Sequence, residues 1–471
     1  MGQFSDIPNE LLDMIANELE HAPAQSHLAR LSTANKSLRA TLAPRVFRTI
    51  CFSTTSRIAD SALAAALVHG RHTRELSFVG PATKDEPIPG DDTYAGVPLV
   101  LPSSGRQLLE RRTELFPGLV SCSIALTGYL LADWEAEGVR DSNGVELYTP
   151  LNLFHLDLAA DDDDLVRADE ERRYKPSTSG LTRDVLSALA AGARQNGPGE
   201  HLILPKWCPR WSSVFDTPEW AAYLGRLDCL EMDLYGWYSQ NINRRCNTSA
   251  TYLRAVTAWV GHFFLDHLSS ARTVKVIGSK HAPLGYFMGI QLPADKMPLL
   301  EHFELSNVVI DLSTIRFIAS SSSKGSLRSI VLRGAAAHGD KDQMIQTHLT
   351  WSEFFNLLVR FGAKLDRFEL DTIARRTDEE ELGPPMEPAA AQELAELVAM
   401  HDAPENRDSR NGRRRLFGYS SIDITGNLKY GTWLFNKEKT MASFEAGDDQ
   451  KAYDAFMETV GKKRTKVGSS R

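Results

Sequence analysis

The chain has 471 residues, 42% of them hydrophobic and 24% charged, with a formal net charge of −8. That length exceeds the roughly 100–200 residues of one ordinary core, so several domains or a repeat array are expected. The acidic balance argues against a broad nucleic-acid footprint, which needs clustered Lys and Arg. The five cysteines, Cys51, Cys122, Cys208, Cys229 and Cys246, are scattered and form no CxxC. Neither a disulfide framework nor a metal site is expected, and a reducing compartment fits. The first residues lack the basic and apolar regions of a secretory signal, and Asp6 stands where myristoylation needs Ser or Thr. No apolar run reaches the roughly 18–20 residues of a bilayer span. A soluble protein of the cytoplasm or nucleus is expected, with neither membrane nor nucleic acid as a partner.

Pro8 suits the first turn of a helix, where its missing N–H costs nothing, and Glu10 complements the positive dipole end. Leu11, Leu12, Ile15, Ala16 and Leu19 then recur at three- and four-residue spacing on one face. After a break at residues 21–23, Leu28, Leu31, Ala34 and Leu38 give a second stripe. Leu42, Val46, Phe47, Ile50 and Phe52 close the segment, with a break expected at Pro44 and an extended piece after it. A module of about fifty residues is marginal alone, so its remaining apolar surface must meet the next domain or a partner.

These residues resemble a family. Ile7-Pro8-Asn9-Glu10-Leu11-Leu12-Asp13-Met14-Ile15 looks like the opening of F-box domains. The stretches His27–Ser32, Lys36–Arg39 and Leu42–Ile50 resemble its continuation in fungal members. The resemblance implies a three-helix F-box over residues 1–52 that docks on a Skp-type adaptor and, through it, on a cullin–RING core. Carried over by position, the contacts are Ile7, Pro8, Leu11, Leu12 and Ile15, with Leu28 and Leu31 from the second helix. Two features depart from the family: a longer link from Glu20 to Ser26, and Leu38 where an aromatic residue is frequent. The alternative is a helical cap that buries the same leucines internally.

Beyond residue 52 a short apolar template keeps returning. Leu300-x-x-Phe303-x-Leu305, Leu327-x-x-Ile330-x-Leu332 and Leu365-x-x-Phe368-x-Leu370 are its clearest copies. Leu119/Cys122/Ile124, Leu151/Phe154/Leu156, Leu227/Leu230/Met232 and Tyr419/Ile422/Ile424 follow it closely, while Leu76/Phe78, Leu202/Leu204 and Val274/Val276 are shorter matches. The template places alternate side chains of a short strand in the core. Helical spacing falls between copies, over 181–194, 252–268, 314–320, 351–361 and 389–400. Strand–helix alternation predicts an α/β fold with a parallel sheet and outer helices. It resembles an irregular leucine-rich-repeat-like solenoid, expected over residues 53–428 as the substrate-binding domain. A compact α/β domain is the rival arrangement.

Residues 81–102, 161–175 and 375–388, rich in Pro, Gly or charge, read as loops. The remaining stretch, 429–471, is expected to hold a capped helix from Gly447 to Met457, similar to a segment of fungal F-box proteins, and a basic tail after residue 461.

The motifs of hydrolases, zinc proteases, phosphate loops and dinucleotide sites do not occur in the sequence. His262 and His267, five apart on a candidate helix, do not share a face for a metal, and four consecutive aspartates at 161–164 lack the spacing of a calcium loop. No cofactor and no metal are expected. Trp207, Trp211, Phe215, Trp220, Tyr223, Tyr235, Trp237 and Tyr238 crowd one stretch. Such side chains favour binding hot spots, but they also fill cores. Trp237 and Tyr238, just after the Leu230/Met232 strand, are the candidates for contact with a recruited protein. The expectation is a substrate-recognition subunit of a cullin–RING ubiquitin ligase rather than an enzyme. The alternatives are an F-box repeat protein acting outside ubiquitination and, more distantly, an α/β enzyme.

Overall fold

The structure, a computed structural model, describes residues 14, 25–34, 36–80, 100–126, 178–193, 199–207, 212–234, 259–278, 283–285, 290–338, 349–372, 407–408, 412–413, 415–423 and 432–461. Every copy of the apolar template in that range becomes a short strand, and Thr49–Ser53, outside the template, adds another. These are β1 (Thr49–Ser53), β2 (Glu75–Val79), β3 (Ser121–Ala125), β4 (Glu200–Trp207), β5 (Leu227–Leu234), β6 (Thr273–Ile277), β7 (His302–Ser306) and β8 (Ser329–Arg333). After the two-residue β9 (Ala337–His338) comes β10 (Arg367–Asp371). Strands β1 to β8 and β10 form an open, nine-stranded parallel sheet whose order is that of the chain. The α/β class with a parallel sheet is therefore what the chain adopts. Phe303 and Leu305, Ile330 and Leu332, and Phe368 and Leu370 are buried, and Leu300, Leu327 and Leu365 are buried just before their strands. The two-residue period sends the intervening side chains to the other face.

The chain divides into two compact units, one of Met1–Asp133, Ala168–Ile203 and Ser212–Val214, the other of Trp134–Arg167, Leu204–Trp211 and Phe215–Arg471. The first holds helices α1 (Gln25–Thr33), α2 (Lys36–Val46), α3 (Ser56–His69), α4 (Ser103–Glu110), α5 (Arg112–Leu115) and α6 (Thr178–Ala191). The expected break at Pro44 does not occur: the residue lies inside α2, which continues to Val46. So close to the helix end the ring removes one hydrogen bond, and Pro44 is exposed, where its ring meets solvent. The extended piece expected after it is β1, which carries residue 52 and pairs with β2 from Thr49 to Ser53. Helix α3 buries only alanines, Ala59, Ala62 and Ala66, so its backbone can lie close to its neighbours. Arg112 is wholly buried; its guanidinium meets the Glu200 carboxylate at 2.9–3.2 Å and donates to the carbonyls of Leu109 and Leu189. One side chain thus ties α4, α5, α6 and β4 together. A Cβ on Gly192 would stand 2.3 Å from that guanidinium, so the close approach requires glycine there.

The second unit holds α7 (Pro218–Leu224), α8 (Leu312–Ser323) and α9 (Trp351–Arg360). Thr217 and Asp311 cap α7 and α8 with their side chains, and Thr350 with Glu353 forms a capping box at α9. On α9, Trp351, Phe354, Phe355 and Leu358 fall at helical spacing and are all buried. The helix expected over 252–268 is described from Trp259 on, and there it is a π-helical stretch, Val260–Phe264, followed by a 3-10 turn. The wider turn accompanies burial of Val260, Phe263 and Phe264 together. Template copy 151–156, the helix over 389–400 and the loops at 161–175 and 375–388 lie outside the described residues, as does most of 81–102.

One template copy takes a different place. A short hairpin of β11 (Arg407–Asp408) and β12 (Gly412–Arg413) precedes β13 (Tyr419–Asp423), which pairs antiparallel with β14 (Thr432–Phe435) and parallel with β9. The Tyr419 copy therefore belongs to a separate three-stranded sheet rather than to the parallel array. The chain returns as β14 within a few residues, too soon for the crossover that a parallel partner needs. The helix expected from Gly447 to Met457 is α11 (Asp448–Gly461), and a further helix, α10 (Lys437–Ala446), precedes it, with Gly447 at φ +72° ending α10.

Candidate interaction surface

Of the residues assigned to adaptor docking, Ile7, Pro8, Leu11, Leu12 and Ile15 lie outside the described residues. Leu28 is 4% exposed and packs against Leu42, with Leu31 and Val46 around that pair. Leu28 thus serves the interior of the α1–α2 pair. Leu31 is half-buried and retains surface toward solvent. A cluster this small supplies little burial, since a fully buried leucine contributes only about 2–3 kcal/mol.

Trp237 and Tyr238 also lie outside the described residues, as do Trp211 and Tyr235. The other members of that aromatic stretch are core. Trp207, Phe215, Trp220 and Tyr223 are each under 5% exposed; the first three meet Phe264 from the π-helical turn, Phe215 also meets Phe263, and Tyr223 packs on Trp220. The Trp220 indole N–H donates to the Phe263 carbonyl at 3.1 Å, which fixes the ring edge-on to Phe264. Proline and tryptophan content alone could not separate this core from a binding platform.

The second unit also presents the other face of its strands. Registers align Glu231 with Lys275, Lys275 with Glu304, Glu304 with Val331, and Val331 with Glu369 across β5, β6, β7, β8 and β10. These five are partly exposed, while their sequence neighbours Leu230, Val274, Phe303, Leu332 and Leu370 are buried. Lys275 Nζ lies 3.0 Å from Glu231, Arg333 Nε 3.0 Å from Glu304, and Arg367 bonds Glu369 along its own strand. At the strand entries, Arg272 reaches Glu301 at 2.5 Å and Asp228 at 3.7 Å. A ladder of charged residues thus crosses these strands, with Val331 as its one apolar rung. The sequence carried its signal in the polar residue between the last two template positions, Glu304 and Glu369 among them. Only the register shows that those residues stand side by side.

Beside β7, Asn307 adopts a left-handed backbone, φ +51°, and its side-chain amide donates to the Gly278 carbonyl at 2.7 Å. Its own N–H bonds Arg333 and its carbonyl accepts from Leu284, so one residue stitches the ends of three strands. Among the described residues the thiols are unactivated: burial raises Cys51, raises Cys122 well above its usual value, and raises Cys229 to about 11. Among the described residues no group of three or more His, Cys, Asp or Glu side chains could hold a metal ion, and no helix is long and apolar enough to cross a membrane. No protein-family model matches the sequence, and no curated protein is detectably similar to it.

Proposed function

We propose that the chain is a substrate-recognition subunit of a cullin–RING ubiquitin ligase. In this reading residues 1–52 are an F-box that docks on a Skp-type adaptor through Ile7, Pro8, Leu11, Leu12, Ile15, Leu28 and Leu31. The parallel array is an irregular leucine-rich-repeat-like solenoid, because right-handed crossovers between strands laid down in chain order send every connection to one face. The uncovered face recruits a protein, and the ligase chemistry occurs on other subunits, with this chain contributing proximity. One observation carries the reading: the strands present a mostly charged, partly exposed row, with Val331 its one apolar member and arginines beside it pairing its carboxylates, that the core does not need. A face so built suits recognition rather than packing, and the resemblance at residues 7–50 names the machinery it would serve.

The test is co-purification of the full chain with a Skp-type adaptor and a cullin. Leu11→Glu with Ile15→Glu should abolish adaptor capture while the parallel array stays folded by circular dichroism. Capture unchanged by that pair would sink the adaptor assignment. Adaptor without cullin would favour an interaction protein outside ubiquitination. Trp237→Ala tests the recruiting surface by proximity labelling, where an unchanged partner set removes Trp237 from it.

A further inference from the structure

Positive charge concentrates in one segment of an acidic protein. Residues 25–74 contain eight Lys or Arg and a single carboxylate, Asp60, although the chain as a whole carries −8. Helix α3 organises part of that charge. Its buried alanines, Ala59, Ala62 and Ala66, define one side. On the opposite side Arg57, Ser61, Ala64, Val68 and Arg71 recur at three- and four-residue spacing and all are exposed. Leu67 beside them is 63% exposed and Val68 69%, the most exposed pair of adjacent aliphatic side chains among the described residues. The ridge is therefore apolar at its middle and cationic at both ends, about 20 Å apart at the helical rise. Asp60 is its one carboxylate.

Charge from α2 joins the Arg71 end. The His69 ring stacks on Phe47 with centroids 4.0 Å apart, which brings α2 and the end of α3 together. Burial first, and then the positive charges of His72, Arg39 and Arg71, lower the pKa of His69, so each of those groups lies within electrostatic reach of that ring. Arg71 is hydrogen-bonded to the neighbouring His72 ring.

We infer that the exposed ridge of α3, with Arg39 of α2, is a docking surface for an acidic amphipathic segment of a partner protein. Carboxylates at the ends of that segment would meet Arg57 and the Arg39/Arg71 pair, and aliphatic side chains between them would cover Leu67 and Val68. The complementarity is specific in kind: a phosphate backbone would match the cations but leave the aliphatic pair uncovered. The surface shares no residue with the adaptor contacts proposed above and does not depend on them.

The test uses the purified full chain and a labelled synthetic helical peptide with leucines at three- and four-residue spacing and glutamates at both ends. Fluorescence anisotropy should show binding that weakens as salt rises. Arg39→Glu with Arg71→Glu should weaken it tenfold or more, and Leu67→Ser with Val68→Ser should do so with little salt dependence of the loss. Circular dichroism should be unchanged, since all four side chains are exposed. Duplex DNA or anionic phospholipid vesicles binding more tightly than the peptide through the same arginines would overturn the inference. No binding by the full chain would also overturn it, and would leave the five carboxylates of residues 1–24 to balance the charge.

Discussion

The Tyr419 hydroxyl donates to Oδ2 of Asp449 at 2.7 Å, joining β13 to the first turn of α11. The same carboxylate accepts from the Ser352 N–H at 2.8 Å and from the Ser443 hydroxyl, and the Trp351 N–H reaches the Tyr419 oxygen at 3.3 Å. Asp449 is 3% exposed. Two open N–H groups at the start of α9 are thereby satisfied by residues far along the chain. Asp449→Ala strands three donors and should cost about 3 kcal/mol, the sum expected for charged hydrogen bonds partly replaced by water. Urea unfolding measures it, and a loss under about 1 kcal/mol would mean that the network relaxes onto other acceptors.

Alkaline pH probes the same contact. Burial, and then the Asp449 carboxylate, raise the Tyr419 hydroxyl far above its ordinary value of 10.0. The unfolded chain releases that proton near pH 10, whereas the folded chain keeps it. Above that point the folded state binds more protons, so the contribution is complete below about pH 10 and is lost as pH rises beyond it. Tyr419→Phe removes the titrating group, and its stability should fall less steeply than that of the parent between about pH 10 and 11.5. Other tyrosines and lysines titrate in both proteins, so the difference between the two slopes isolates Tyr419. Parallel slopes would contradict the assignment.

The strands were legible because burial imposes a two-residue period that Leu300/Phe303/Leu305 and its relatives print directly on the sequence. Helix α9 was legible for the same reason, with its apolar positions at 351, 354, 355 and 358. What escaped were choices made by distant partners. Nothing near Tyr419 distinguishes its copy from the others; its antiparallel neighbour Thr432–Phe435 decides the sheet it joins. Pro44 broke its local rule because the helix had only two residues left to run. The aromatic stretch could have been core or platform, and the π-helical turn at Phe263 and Phe264 settles it as core for Trp207 and Trp220. Asn307 gave no signal beyond standing after a strand. Its bond to Gly278, a strand away, depends on register alone.

The Arg112–Glu200 pair is a structural anchor whose two ends are unequal. Arg112 is fully buried and makes four hydrogen-bonding contacts beyond its first to Glu200, two of them to backbone carbonyls. Removing it leaves a mostly buried carboxylate without its cation, so Arg112→Ala should cost about 3–5 kcal/mol. Adding Glu200→Gln should recover part of that loss, because the uncompensated charge disappears. A double-mutant cycle by thermal unfolding therefore predicts a coupling above about 1 kcal/mol. Additive costs would show that water already reaches the carboxylate.

The charged ladder on β5 to β10 should behave in the opposite way. Its members keep solvent contact: the Arg333 side chain is 54% exposed, and Lys275 is 30%. Ion pairs in such settings contribute about 0–1 kcal/mol, since water screens the attraction and holding long side chains costs entropy. Lys275→Glu with Arg333→Glu places like charges at Glu231 and Glu304, and should lower stability by no more than about 1–2 kcal/mol. The fold therefore survives a change that turns the row's charged positions uniformly negative, and fold and recognition can be read apart. If this face recruits protein, the double variant keeps its unfolding midpoint within a few degrees, still captures the adaptor, and loses partners seen by proximity labelling. An unaltered partner set in that folded variant would remove the ladder from the recruiting surface. Global unfolding would make it part of the frame instead.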